Sequence, residues 1–325
     1  MPLEPSSSKA GRSNLQFAVK LLVTAGLALG FAVYVYPRLA FDGWAIMMKL
    51  RGHAPNCSWS KVTTYYGTLQ RFADLQGAAN SSVSIQETDE GAGLDLVHFP
   101  FKSFWVPHRQ DGKFPLAYLI AEHNWLAENN PNEMVHNGNI VLDCGAHVGI
   151  FTYTALRRGA ATVVAIEPDP HNAECLQRNF KKEIVSLQVI LVQKGVWSQD
   201  GQLVLYSSSS SSALSTVTER IEGEKVVIQV VKIDTLVDQL NLPRIDFIKM
   251  DIEGAERDAL KGAIGTLRRW KPRLMIDAYH RADDMEILPS IIRQANPGYR
   301  MICGPCQGDR PDSPSQIIPH SVFFN

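Results

Sequence analysis

The sequence predicts an α/β fold on a parallel sheet covered on both faces, preceded by one membrane-crossing helix. Three observations predict it. After residue 139 short apolar runs alternate with helix-length stretches, the pattern of strands joined by crossover helices. Three of those runs end in acids, Asp143, Glu167 and Asp251, as strands do where an open sheet meets a ligand. Near the start, Leu15 to Tyr36 is almost wholly apolar and carries one charge, Lys20. That is about the length that spans a bilayer.

Residues 1–14, rich in Ser, Pro and basic groups, read as a flexible tail. Residues 15–36 read as an uncleaved transmembrane helix. The run is too long for a signal peptide, and only Ala28-Leu29-Gly30 faintly resembles a cleavage site. Tyr34 and Tyr36 suit the interface. Lys9 and Arg12 on one side are balanced by Arg38, Lys49 and Arg51 on the other, so charge does not decide the orientation. Residues 37–114 form a juxtamembrane cap, with a helix at Trp44–Leu50 and short strands within Leu94–Val106. A helix at Leu116–Leu126 follows, ahead of Pro131.

Next come a strand at Ile140–Asp143, a helix from Val148, a strand at Thr162–Glu167, a helix at Pro170–Phe180 and a strand at Leu187–Val192. Ser207–Ser212 is a flexible loop. Further on stand a strand at Ile245–Met250, one amphipathic helix at Glu256–Trp270 and a strand at Leu274–Ala278.

The 325 residues hold 32 basic and 33 acidic groups, a net charge of −1. A balance this neutral gives no field for phosphate backbones, so no nucleic-acid partner is expected. The five cysteines are expected to be free thiols, with Cys144 and Cys175 in the core. Cys303-Gly-Pro-Cys306 is a lone CxxC, read as a turn after a strand.

The stretch VLDCGAHVGIFT, Val141–Thr152, has the pattern D-x-G-x-x-x-G rather than G-x-G-x-x-G. A dinucleotide's pyrophosphate prefers the second pattern. Asp143 would repel a pyrophosphate and pair with an ammonium group. Glu167, ending the next strand, can accept ribose hydroxyls. An amino acid at one end and a ribose at the other describe S-adenosylmethionine.

VLDCGAHVGIFT, VVAIEPDP and, above all, Phe247–Glu256 (FIKMDIEGAE, with K-x-D-x-E-G-x-E) resemble the FkbM-type S-adenosylmethionine-dependent methyltransferases. The resemblance covers about residues 115–325. It implies a Rossmann-like, seven-stranded class I methyltransferase sheet and O-methylation of a sugar, lipid-linked or secondary metabolite. Asp277 and Cys144 depart from the family's common residues. Glu122 resembles an acid that precedes the first motif in the family.

The cofactor site is expected at Asp143, Gly145, Ala146, His147, Gly149, Glu167 and Glu122, with the residues around Gly195-Val-Trp197 flanking the adenine. Asp251, Glu253 and His280 are the expected catalytic groups, His280 as a base. Asp251, Glu253 and Glu256 also offer hard oxygen ligands to magnesium. The rival functions are a nicotinamide-dependent oxidoreductase and a membrane scaffold that binds cofactor without catalysis. The catalytic domain is expected on the cytoplasmic side, because the charged cofactor is made there and does not cross a bilayer.

Overall fold

A computed structural model of the chain describes residues 20, 22–26, 29, 30, 32, 35–108, 114–208, 215–218, 220, 223–309 and 314–325. Half of the expected membrane segment, 15–36, lies outside them. Among the described residues no helix is long and apolar enough to cross a membrane.

Helices α1 (Tyr36–Leu50), α2 (Trp59–Val62) and α3 (Tyr65–Ser81) come first. The hairpins β1 (Ser84–Asp89), β2 (Leu94–Phe99) and β3 (Lys102–Pro107) make a three-stranded antiparallel sheet. Helix α4 (Phe114–Asn129) leads into the main unit. The cap packs directly on that unit: Val97, Phe99 and Phe104 share one apolar cluster with Val148, Ile150 and Phe180.

The main unit runs β4 (Ile140–Cys144), α5 (Ile150–Arg157), β5 (Thr162–Ile166), α6 (Pro170–Asn179), α7 (Lys181–Val185) and β6 (Val189–Val192). A second sheet follows: β7 (Gly195–Val196), β8 (Gly201–Ser208), β9 (Ser215–Thr216) and β10 (Gly223–Val231). The chain then returns through α8 (Ile233–Gln239), β11 (Phe247–Met250), α9 (Glu256–Lys261), α10 (Ile264–Trp270), β12 (Arg273–Asp277) and α11 (Asp284–Ala295). It closes with β13 (Met301–Cys303), β14 (Cys306–Gly308), β15 (Ile317–Pro319) and β16 (Ser321–Phe324).

The seven-stranded sheet has the order β13-β16-β12-β11-β4-β5-β6. Its five central and right-hand strands are parallel, and β16 runs antiparallel to both β12 and β13. Every residue of β4 and of β11 is buried, as expected for strands covered on both faces. Strand order reverses between β4 and β11, which opens a crevice at their carboxyl ends.

Two expectations are corrected. The single helix at Glu256–Trp270 is two, α9 and α10. A Cβ on Gly262 would sit 2.1 Å from the Trp197 carbonyl oxygen, and the Asp234 carboxylate from α8 accepts the backbone N–H groups of Gly265 at 2.8 Å and Thr266 at 2.7 Å. An acid brought in from another helix thereby caps a new N-terminus that local periodicity does not reveal. The second correction concerns the thiols. Cys144 and Cys175 are free and buried, and Cys303 is free, but Cys57 and Cys306 form a disulfide across a sequence separation of 249. It joins the α1–α2 region to the β14–β15 hairpin, within a cluster that includes Ala45, Val62, Tyr65 and Ile317. Cysteine spacing carries no such pairing information.

Candidate active site

The crevice widens into a cavity of about 750 Å³, counted to its open mouth, lined by Gly145, His147, Glu167, Asn172, Asp251 and Glu253 among others. Strands β4, β5 and β11 deliver those groups. Its far wall is the second sheet, through Leu205, Ile228 and Val230, a wall that the sequence reading did not foresee.

Glu167 stands just past β5. Its side chain is buried, and Oε2 accepts the His147 N–H at 2.8 Å while Oε1 accepts the Asp169 N–H at 3.0 Å and Asn172 Nδ2 at 3.4 Å. Burial, then the charge of Asp169, push this carboxyl up to about 7. Asp169 itself caps α6, accepting from the N–H groups of His171 and Asn172, and Ser207 from the second sheet donates to its other oxygen.

Gly145 bends the chain with φ +75°, and a Cβ there would lie 2.0 Å from the Asp251 carbonyl oxygen. Only glycine lets the β4 and β11 turns come this close. Ala146 is buried beneath the turn and does not line the cavity. Gly149, at φ +98°, also stands back from it: a Cβ there would strike the Phe180 ring at 2.2 Å, so it serves packing of α5.

Asp143 departs from its expected contact with an ammonium group. Its side chain is fully buried, Oδ2 accepts Thr152 Oγ1 at 2.6 Å, and Oδ1 lies 3.7 Å from Lys249 Nζ. It does not reach the cavity. Its role is to hold Lys249, which donates to the Gly145 carbonyl at 2.8 Å and lies 3.8 Å from Asp251. Burial opposes the Lys249 charge, but Asp251 and Asp143 outweigh it and raise its pKa. Lys249 was legible as the one charge in the apolar run Phe247–Met250, and the sequence reading gave it no role.

Glu122 is likewise elsewhere. Buried on α4, it meets His320 Nε2 at 2.8 Å and is absent from the cavity lining. Gly195 and Val196 line the cavity, and Trp197 does not.

Asp251 and Glu253 follow β11, and His280 follows β12. The His280 side chain is 9% exposed; Nε2 lies 3.7 Å from Asp251 Oδ1 and 3.6 Å from Glu253 Oε2, and Nδ1 lies 3.0 Å from Glu256 Oε1. Burial opposes its charge, but Glu256, Asp251 and Glu253 hold the imidazole up to about 10. Neutral His280 was the expected base; the surrounding acids favour its protonated form over the neutral one. Burial works against the Asp251 charge too, yet Lys249 and His280 hold that carboxyl below its usual range. Glu253 is raised to about 7 by burial and by Asp251.

The backbone of Glu253 is left-handed, with φ 52°, a conformation that costs a branched or long side chain energy. Thr216 and Thr218 hold it there by donating to the Glu253 carbonyl oxygen at 2.9 and 3.2 Å. Beyond the cavity, Asp277 is buried and accepts Ser321 Oγ.

Residues 143–301 match the family described as methyltransferase FkbM domain. A protein named Methyltransferase 1 from Beauveria bassiana is 27% identical over 145 residues, 38% of this chain and 58% of that protein. The hexuronic acid methyltransferase AglP of Haloferax volcanii is 27% identical over 136 residues, 42% of this chain and 54% of that protein. The chain thus spans little more than half the length of these two relatives. A solved FkbM methyltransferase from Methylobacillus flagellatus is 19% identical with a TM-score of 0.43, covering 86% of this chain and 65% of that one. The chain carries, over residues 143–301, a methyltransferase domain of the FkbM family.

Proposed function

We propose that the protein transfers a methyl group from S-adenosylmethionine to a hydroxyl oxygen of a small, polar acceptor such as a sugar or sugar acid. The observation that carries this reading is Glu167: a buried carboxylate that lines the cavity at the end of β5 and faces the Gly145–His147 turn. A carboxylate has about four lone-pair sites. Three chain donors engage Glu167, the loosest being Asn172 at 3.4 Å, so a ribose hydroxyl finds an acceptor there.

When bound, the cofactor supplies a methyl carbon on a positively charged sulfur. The acceptor oxygen must then lie in line with that carbon and give up its proton. Asp251 and Glu253 line the cavity two strands from Glu167, about 10 Å away at the usual strand spacing. We assign acceptor binding to them and proton acceptance to Glu253, the freer of the two. Lys249 and His280 orient Asp251. The sugar-acid class is supported by the name of the Haloferax volcanii relative.

Residues 15–36 are proposed as a single membrane anchor on their apolar composition. Cofactor supply favours the cytoplasmic side, whereas disulfides persist in oxidising compartments. The Cys57–Cys306 bond therefore supports placement of the domain on the non-cytoplasmic side. Alkylation of thiols in intact cells, before and after reduction, measures which state exists.

Labelled methyl transfer into sugars, sugar acids and lipid-linked sugars tests the activity. Incorporation that vanishes in Glu253→Gln supports it. The rival oxidoreductase gains if the protein binds NAD and not S-adenosylhomocysteine, and the non-catalytic scaffold gains if S-adenosylhomocysteine binds while every acceptor stays unlabelled.

A further inference from the structure

We propose that Asp251, Glu253 and His280 form a binding site for one divalent cation of the magnesium–manganese class, with Glu256 orienting the imidazole. The two carboxylate oxygens and Nε2 all lie within 4.8 Å of one another. The 3.6 and 3.7 Å separations from Nε2 to Glu253 and Asp251 are too long for hydrogen bonds. They are close to the spacing of ligands on a common ion: at ligand distances of about 2.1 Å, neighbours on an octahedral ion lie about 3.0 Å apart, so side-chain shifts of several tenths of an ångström would close the set.

A second observation points to the same ligand. His280 is more than nine-tenths buried, and its Nε2 has no hydrogen-bond partner while facing both carboxylates. A ring nitrogen aimed at two anions calls for a positive species between them, a proton on Nε2 or a bound cation, and the cation is the one proposed.

The other face of the ring meets Glu256, which is fully buried and accepts the Ile252 N–H at 3.0 Å. Its Oε1 lies 3.0 Å from Nδ1 without good hydrogen-bond alignment. An imidazole that gives Nδ1–H to a carboxylate and presents Nε2 to an ion is the usual outer support of a metal-bound histidine. The strained backbone of Glu253, pinned by Thr216 and Thr218, fixes the remaining ligand.

One nitrogen and two carboxylate oxygens leave about three positions of an octahedral ion open. They would take water or two neighbouring acceptor oxygens, such as vicinal hydroxyls or a hydroxyl beside a carboxylate. That use rests on the methyl-transfer reading above, whereas binding of the ion does not.

Manganese(II) titrated into the chelator-treated full-length protein, followed by electron paramagnetic resonance, tests the site. One bound ion per chain is expected, with a nitrogen hyperfine coupling lost in His280→Gln. Glu253→Gln and His280→Gln should each weaken binding at least about tenfold, and Glu256→Gln by about 10 to 100-fold. Calorimetry with S-adenosylhomocysteine on the same samples confirms a folded protein. The proposal is overturned if S-adenosylhomocysteine binds and manganese does not, leaving a proton on Nε2 as the positive species between His280 and the two carboxylates. It is also overturned if manganese binds equally well to all three variants. Manganese binding without S-adenosylhomocysteine binding would sink the cofactor reading and leave the metal site standing, and binding of neither would overturn both.

Discussion

On the Glu167 bank of the cavity the carboxylate oxygens meet chain donors at 2.8 and 3.0 Å; on the Asp251–Glu253 bank the acids meet Lys249 and His280 only at 3.6 to 3.8 Å. Both banks sit on the carboxyl ends of parallel strands, so the sheet alone does not make them differ. The first is completed by backbone N–H groups, which fix an acceptor in place for a ligand hydroxyl. Side chains separated by gaps form the second, and a proton, an ion or an acceptor must close them. Binding and chemistry are thereby divided between two strand ends.

The largest effect on this division comes from joining the banks by force. Gly145→Ala places a Cβ 2.0 Å from the Asp251 carbonyl oxygen at a residue with φ +75°. It should cost about 2–4 kcal/mol of stability, seen as a lower melting temperature, and should abolish detectable S-adenosylhomocysteine binding. Next in size, Glu253→Gln should slow methyl transfer by at least about a hundredfold while cofactor affinity stays within about twofold, which separates the second bank from the first. In the opposite sense, Glu167→Ala should weaken cofactor binding by about 1–3 kcal/mol, because ribose hydroxyls lose a buried charged acceptor.

The smallest effect is with pH. In the folded chain Glu167 titrates near 7, raised from an ordinary 4.5 by burial and by Asp169. A raised acid contributes stability that is whole below the unfolded value and is lost as pH rises through the folded one. Binding has the other sign, since the ionised carboxylate is the better acceptor. Cofactor affinity should therefore increase between pH 6 and 8, and calorimetry at three pH values checks it. A flat profile would remove Glu167 from the cofactor site.

The sequence was most legible where one element decides the outcome. The runs that became β4, β5, β11 and β12 are apolar and short, and the acids at their ends were found because a strand's carboxyl end is a local fact. Asp143 and Glu122 were read in the same way, but their partners, Lys249 and His320, are 106 and 198 positions away. Nothing local tells a carboxylate that binds a ligand from one that holds a lysine. The cavity's far wall, the Asp234 cap on α10 and the Cys57–Cys306 bond were missed for the same reason. Each depends on segments that meet only after folding.

The division between the banks is tested most directly by calorimetric titration of S-adenosylhomocysteine, and separately NAD, into the wild type, Glu167→Ala and Glu253→Gln. The account predicts that S-adenosylhomocysteine binds the wild type and Glu253→Gln alike, binds Glu167→Ala about 5 to 150-fold more weakly, and that NAD does not bind. NAD binding without S-adenosylhomocysteine binding, or equal losses in both variants, would contradict it.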